Sequence, residues 1–278
     1  MAYKTILLHL DGSERDDAAL GLALQLAVQE QAHLTALHVI HPFSPGLGVY
    51  GDAAGGVIAE IERNYRDQAQ AAADASLQAA EQRAQKADVP FEWRLEVGLA
   101  DDIVPVQARY ADLTITGQVD PDSEDAPRRR GLAIQLVMDS GGPILVVPYA
   151  GKFATMGKRI LVAWNGSREA ARAVHDAMPF LKRADLVSVL SINPSQADHI
   201  AGFDISNQIA RHGGKAEAVR TVSGDVSVGD LLLSEAADLD ADMIVMGGYG
   251  HSRLREFILG GASRHILECM TVPVFMSH

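Results

Sequence analysis

The chain has 278 residues, 47% of them hydrophobic, enough apolar material for one large domain or two of ordinary size. Its formal net charge of −12 and pI near 5.2 argue against a nucleic-acid partner, because phosphate backbones are held by clustered Lys and Arg. No run of about 18 apolar residues could span a membrane, MAYKTILLHLDGSE reaches Asp11 before a signal sequence could form, and Cys269 is the only cysteine, so a cytoplasmic protein is expected.

In chain order, the apolar run ILLHL from Ile6 predicts a strand, and DDAALGLALQLAVQEQ, with Leu and Ala at helical spacing, predicts the helix after it. LTALHVI is the next strand. A Pro- and Gly-rich stretch, PFSPGLGVYGDAAGG (Pro42 to Gly56), then reads as a loop leading into a long helix rich in Ala, Gln and Glu. FEWRLEV, LTIT and ILVVP are the remaining strand candidates of this half. Beyond YAGKFATMGK, the runs ILVAW, LVSVLSI, AEAVRTV, MIVMG and VPVFM follow in the same order. Strands alternating with helices require crossover connections, and near-continuous apolar strands need cover on both faces. The expectation is an α/β chain of two tandem doubly wound domains, residues 1–150 and 157–278, each a five-stranded, mostly parallel sheet with helices on both faces.

The halves are related in sequence. KTILLHLDGSE (Lys4 to Glu14) resembles KRILVAWNGSRE (Lys158 to Glu169), and ADLTITG (Ala111 to Gly117) resembles ADMIVMG (Ala241 to Gly247). Asp11 and Asn165 lie 154 positions apart but Gly117 and Gly247 only 130 apart, so the first copy holds 24 additional residues, assigned to the Pro42 to Gly56 insertion and the long helix it leads into.

The stretch GGYGHSRLREFILGGAS, Gly247 to Ser263, follows the strand MIVM. In a doubly wound sheet, ligands bind beyond the carboxyl ends of strands, where loops lead into helix N-termini. Glycines there let a phosphate approach the backbone, and successive N–H groups supply positive potential. From spacing alone the ordinary reading is turn and close-packing glycine, with anion binding as the alternative. Neither a P-loop nor the dinucleotide fingerprint is present.

Gly247-x-x-Gly250, nine residues, then Gly260 and a small residue resembles the ATP-binding signature of the universal stress protein family. Each half also opens with a strand followed by D/N-G-S, as in that family, and the likeness covers nearly the whole chain. The resemblance implies an adenine nucleotide alpha hydrolase-like fold and a bound adenine nucleotide, ATP with Mg²⁺. It would place Ala163, Asn165 and Ile192 beside adenine and ribose. Met246 and Gly247 would touch the adenosine part, and Tyr249, Gly250, Gly260, Gly261, Ala262 and Ser263 would surround the phosphates. His251 stands where the family often has a basic residue and would assist a phosphate if protonated; the alternative is a solvated histidine at a helix start. Two positions depart from the pattern: Asn165 replaces an aspartate, and Gly261 replaces a Ser or Thr.

The first half diverges further. Asp11 is retained, but the loop reads GQVDPDSEDAPRRRGLA, with Asp120 in place of the second glycine and Asp122, Glu124 and Asp125 after it. Carboxylates facing a triphosphate oppose binding, and Arg128, Arg129 and Arg130 either offset them or form a charged surface loop. One nucleotide site is therefore expected, in the second half, with the first half a structural partner or a site for something else.

No H-E-x-x-H, C-x-x-C or G-x-S-x-G pattern occurs. His38 and His41 are close in sequence but lack an obvious third ligand, and Cys269 is expected to be a buried structural thiol. No catalytic or metal-ligating residue is assigned, and slow ATP hydrolysis is the most enzymatic reading. The resemblance further implies pairing of ILVVP with VPVFM, like a family dimer fused into one chain, together with homodimerisation and an unidentified protein partner. Two functions stay open: a stress-response protein using ATP as a switch, and a nucleotide-independent ligand-binding or interaction module.

Overall fold

The computed structural model describes residues 2–13, 15–43, 55–123, 131–151, 153, 155–194, 202–248 and 261–278. In the first half the elements are β1 (Thr5–Leu10), α1 (Asp16–Glu30), β2 (His33–Ile40), α2 (Gly55–Lys86), β3 (Phe91–Val97), α3 (Ala100–Ala108), β4 (Leu113–Gly117), α4 (Leu132–Asp139) and β5 (Ile144–Val147). The second half holds β6 (Arg159–Ala163), α5 (Arg168–Asp176), α6 (Met178–Leu181), β7 (Leu186–Ile192), α7 (Phe203–Arg211), β8 (Ala216–Thr221), α8 (Val228–Asp238), β9 (Met243–Gly247), α9 (Gly261–Cys269) and β10 (Val274–Ser277). All ten predicted strands are present. The predicted Pro42 to Gly56 loop lies largely outside the described residues, and the long helix after it is α2.

The strands form one sheet in the order β3-β2-β1-β4-β5-β10-β9-β6-β7-β8. Within each half all pairings are parallel; at the seam β5 and β10 pair antiparallel, Leu145 opposite Phe275. The expected pairing of ILVVP with VPVFM is therefore present, and the two five-stranded repeats share a sheet. Antiparallel pairing at the seam sends the carboxyl ends of the two sets of strands to opposite edges.

Period-two alternation explains the cover on both faces. Ile6, Leu8, Leu145, Val147, Met243 and Val245 face one buried cluster, which includes side chains of α1, α2, α5, α6 and α7. Leu7, Ile144, Val146, Ile244 and Met246 face the other, with α3, α4, α8 and α9. Each cluster runs across both halves. The halves are also tied by Tyr3, whose hydroxyl donates to the carbonyl of Asp176 at 2.6 Å, and by an ion pair between Glu30 and Arg183.

The repeated Ala-Asp before β4 and β9 has a structural reason. Asp112 accepts from the backbone N–H groups of Lys4 (2.7 Å) and Thr5 (2.9 Å), and Asp242 accepts from those of Gly157, Lys158 and Arg159 at 3.0–3.1 Å. Each carboxylate thus clamps the start of the first strand of its own half to the strand that follows the aspartate.

Candidate functional site

In each half the strand order reverses between the first and fourth strands, β1 and β4 or β6 and β9, which opens a crevice at their carboxyl ends. In the second half Ala163 lies opposite Met246 on β9, with Leu190 opposite it on β7; Ile192 ends β7 two residues later. The strand ends thus bring Ala163, Ile192, Met246 and Gly247 to one edge. Asn165 follows in the exposed turn, where its side-chain oxygen accepts from the N–H of Ser167 at 3.0 Å. Ser167 in turn caps α5 by accepting from the N–H of Ala170 at 3.1 Å.

Gly247 has a packing role independent of any ligand. A Cβ there would fall 2.5 Å from the nitrogen of Ala170 and 2.6 Å from the carbonyl carbon of Glu169, so β9 and the start of α5 meet backbone to backbone. Gly261, in contrast, is exposed at the start of α9, and a Cβ there meets no described atom within 4 Å. Ala262 is half-buried and Ser263 buried in the first turn of that helix. Tyr249, Gly250, His251 and Gly260 lie outside the described residues, as do Glu124, Asp125 and Arg128 to Arg130 of the first-half loop.

The first half encloses a cavity of about 470 Å³ at the corresponding crevice. His9 near the end of β1 and Asp11 just after it, Val39 and His41 of the β2 end, and Thr116 to Val119 of the β4 end form its floor; Asp101 of α3 and the first turn of α4 flank it. Nδ1 of His9 lies 3.3 Å from the hydroxyl of Thr116. Sequence reasoning did not identify this cavity. The one available signal was the alignment of His9 with Ala163, which puts a polar ring where the second half has a methyl group. The remaining wall had none, because Arg264, Leu267 and Glu268 come from α9 of the other half.

Two carboxylates of the first half, Asp16 and Asp120, have described partners. Asp16 accepts from the N–H groups of Asp11 (3.1 Å) and Gly12 (2.8 Å), and burial, reinforced by the Asp11 charge, pushes its pKa up to about 7. Asp120, expected to repel phosphate, forms an ion pair with Arg15, whose guanidinium lies 5.4 Å over the Tyr149 ring. The Asp122 N–H at 2.9 Å and the Arg15 contact hold the Asp120 carboxyl below the usual range. The expected buried thiol is not observed: Cys269 is exposed, because Ile266, Leu267 and Met270 occupy the inward positions at the end of α9. Among the described residues no group of three His, Cys, Asp or Glu side chains is placed to hold a metal ion, and no helix is long and apolar enough to cross a membrane.

Comparison with known proteins gives the fold a family. A solved universal stress protein from Archaeoglobus fulgidus DSM 4304 superimposes with a TM-score of 0.74 at 17% identity, covering 98% of this chain and 95% of that one. A functionally unknown protein from Pseudomonas aeruginosa PAO1 gives 0.62 at 17% identity, covering 99% and 92%. A curated relative, a universal stress protein from Synechocystis sp., is 24% identical over 135 residues, a match spanning 48% of this chain and only 45% of the relative. The model of the universal stress protein family matches residues 2–146 and again 156–278, so the chain belongs to that family and carries its domain twice.

Proposed function

We propose that the chain is a stress-response protein that binds ATP, with Mg²⁺, at the carboxyl edge of its second half and acts as a nucleotide-dependent switch. The observation that carries this reading is the convergence of Ala163, Ile192, Met246 and Gly247 on the crevice between β6 and β9. Ala163 and Gly247 are small and Ile192 and Met246 apolar, a combination that suits a planar base, and the turn holding Asn165 offers polar atoms to a ribose. The helix after the glycine stretch starts at Gly261, where no described atom would meet a Cβ within 4 Å, a geometry compatible with a phosphate chain at its first turn. Tyr249, Gly250, His251 and Gly260 complete the proposed cradle with Ala262 and Ser263. An effect on the other half has a route in α9, whose last turn borders the first-half cavity. Homodimerisation and an unidentified protein partner belong to the same reading.

Isothermal titration of the full chain with Mg·ATP tests it. Saturable heat that disappears in Gly250→Asp supports the site; no heat with the wild type, or equal heat from the variant, removes it. Phosphate release at a rate abolished by the same variant would extend the reading to slow hydrolysis.

A further inference from the structure

We propose that the first-half cavity is a binding site for an uncharged small molecule with a compact apolar body. The inference concerns the half opposite the nucleotide reading and holds whether or not ATP binds in the second half.

The space exists because the two crevices are closed differently. In the second half α5 comes so close to Gly247 that a Cβ would lie 2.5 Å from the nitrogen of Ala170. Its counterpart Gly117 is exposed, and a Cβ there would meet no described atom within 4 Å. The start of α1, the counterpart of α5, therefore leaves the end of β4 uncovered. The resulting volume of about 470 Å³ falls in the range of roughly 300–1,000 Å³ typical of small-molecule sites. Val39, Leu132, Ile134, Val146 and Leu267 line it with aliphatic surface, and Ala133 adds only a methyl. Because Leu267 belongs to α9, a ligand here touches both halves.

The polar part of the wall is already engaged. Arg264 donates to Glu268 at 2.8 Å, Asp11 accepts from the N–H of Ser13 at 2.9 Å, and Nδ1 of His9 lies 3.3 Å from the Thr116 hydroxyl. Gln118 spends both ends of its amide on backbone groups. Asp101, half-buried at the start of α3, has the charge of His41 opposing its own. Arg15 is held by Asp120, which sits between the lining residues Val119 and Pro121. A charged head group entering this cavity would lose its hydration and find no uncommitted opposite charge among the described residues. An apolar body gains by leaving water. Neutrality is thus selected by the cost of burying charge rather than by any one side chain.

The test uses three isosteric probes on the full chain: uncharged tryptophol, cationic tryptamine and anionic indole-3-propionate, titrated calorimetrically at pH 7.5. Tryptophol is expected to bind tightest, with each ion weaker by about tenfold or more. Ala133→Phe from the helix side and Gly117→Leu from the strand side fill the cavity without altering a charge. Each is expected to weaken tryptophol by about tenfold or more, and probing two walls keeps the test decisive should one variant fail to fold. Either ion binding as tightly as tryptophol would overturn the proposal, as would unchanged tryptophol affinity in a folded variant. So would the absence of saturable binding by both tryptophol and the uncharged fluorescent probe N-phenyl-1-naphthylamine. Gly250→Asp is expected to leave tryptophol binding unchanged, which separates this site from the nucleotide reading; loss of tryptophol in that variant would put the probe in the second half and overturn the assignment.

Discussion

The side-chain amide of Gln118, just beyond β4, donates to the carbonyl oxygens of Leu267 (2.9 Å) and Glu268 (3.0 Å) in the last turn of α9. Its oxygen accepts from the N–H of Tyr149 at 3.1 Å. A single buried side chain therefore closes helix-end carbonyls of one half from a loop of the other. The counterpart is Gly248, just beyond β9, where a Cβ would collide with Val137 of α4. The helix before the last strand of each half thus reaches the loop after the fourth strand of the other.

Replacing Gln118 by Leu keeps the volume but leaves those groups without their partner. The expected loss is about 1–3 kcal/mol, read as a lower denaturant midpoint at unchanged m-value. A variant as stable as the wild type would mean that solvent replaces these bonds at no cost.

Asp16 gives a pH signature. With its folded pKa near 7 and a value of 3.8 for the free side chain, the folded chain holds this proton after the unfolded chain has released it. Its contribution to stability is fully present below pH 4, is lost as pH rises towards 7, and is level above. Asp16→Asn should remove that slope, so the variant gains on the wild type by on the order of 2 kcal/mol between pH 5 and pH 8. Parallel urea melts at the two pH values measure it, and a constant difference would contradict the placement of Asp16 against Asp11.

Gly247 and Gly261 should part company. Gly247→Ala forces a methyl into the backbone of α5 and is expected to cost about 1–3 kcal/mol with or without nucleotide. Gly261→Ser places its side chain where no described atom would meet a Cβ within 4 Å, so stability should stay within about 0.5 kcal/mol. If the ATP reading holds, the added hydroxyl should also tighten Mg·ATP by roughly two- to tenfold. Thermal melts and calorimetry on both variants separate packing from binding.

Phe275 marks the seam. It is fully buried on β10 and meets Phe180 edge-on at 6.0 Å, so Phe275→Ala should cost about 3–5 kcal/mol. Because both cores cross the seam, the wild type is expected to melt in one calorimetric transition. Two well-separated transitions would show the halves to be energetically independent.

Much of the fold was legible locally. Runs such as ILLHL and MIVMG announce strands because a parallel strand covered on both faces must be apolar along its whole length. The repeated Asp112 and Asp242 mark strand starts for the same clamping reason in both halves. The resemblance of the halves to one family rests on motifs a few residues long, and the family match agrees with it. Cys269 was misread because its place near the last strand suggested burial, whereas the helical phase set by Ile266, Leu267 and Met270 turns it outward.

Contacts between distant segments were not legible. The sequence alone determined ten strands, their alternation with helices, and a glycine stretch after the ninth strand. Only the tertiary structure decided that Arg15 neutralises Asp120, that Gly247 lies against the backbone of Glu169 and Ala170, and that α9 forms a wall of the first-half cavity. The physical reason is that strand and helix patterns are written in neighbouring residues. A cavity wall is set by the antiparallel seam, which brings together residues as far apart as Asp11 and Glu268.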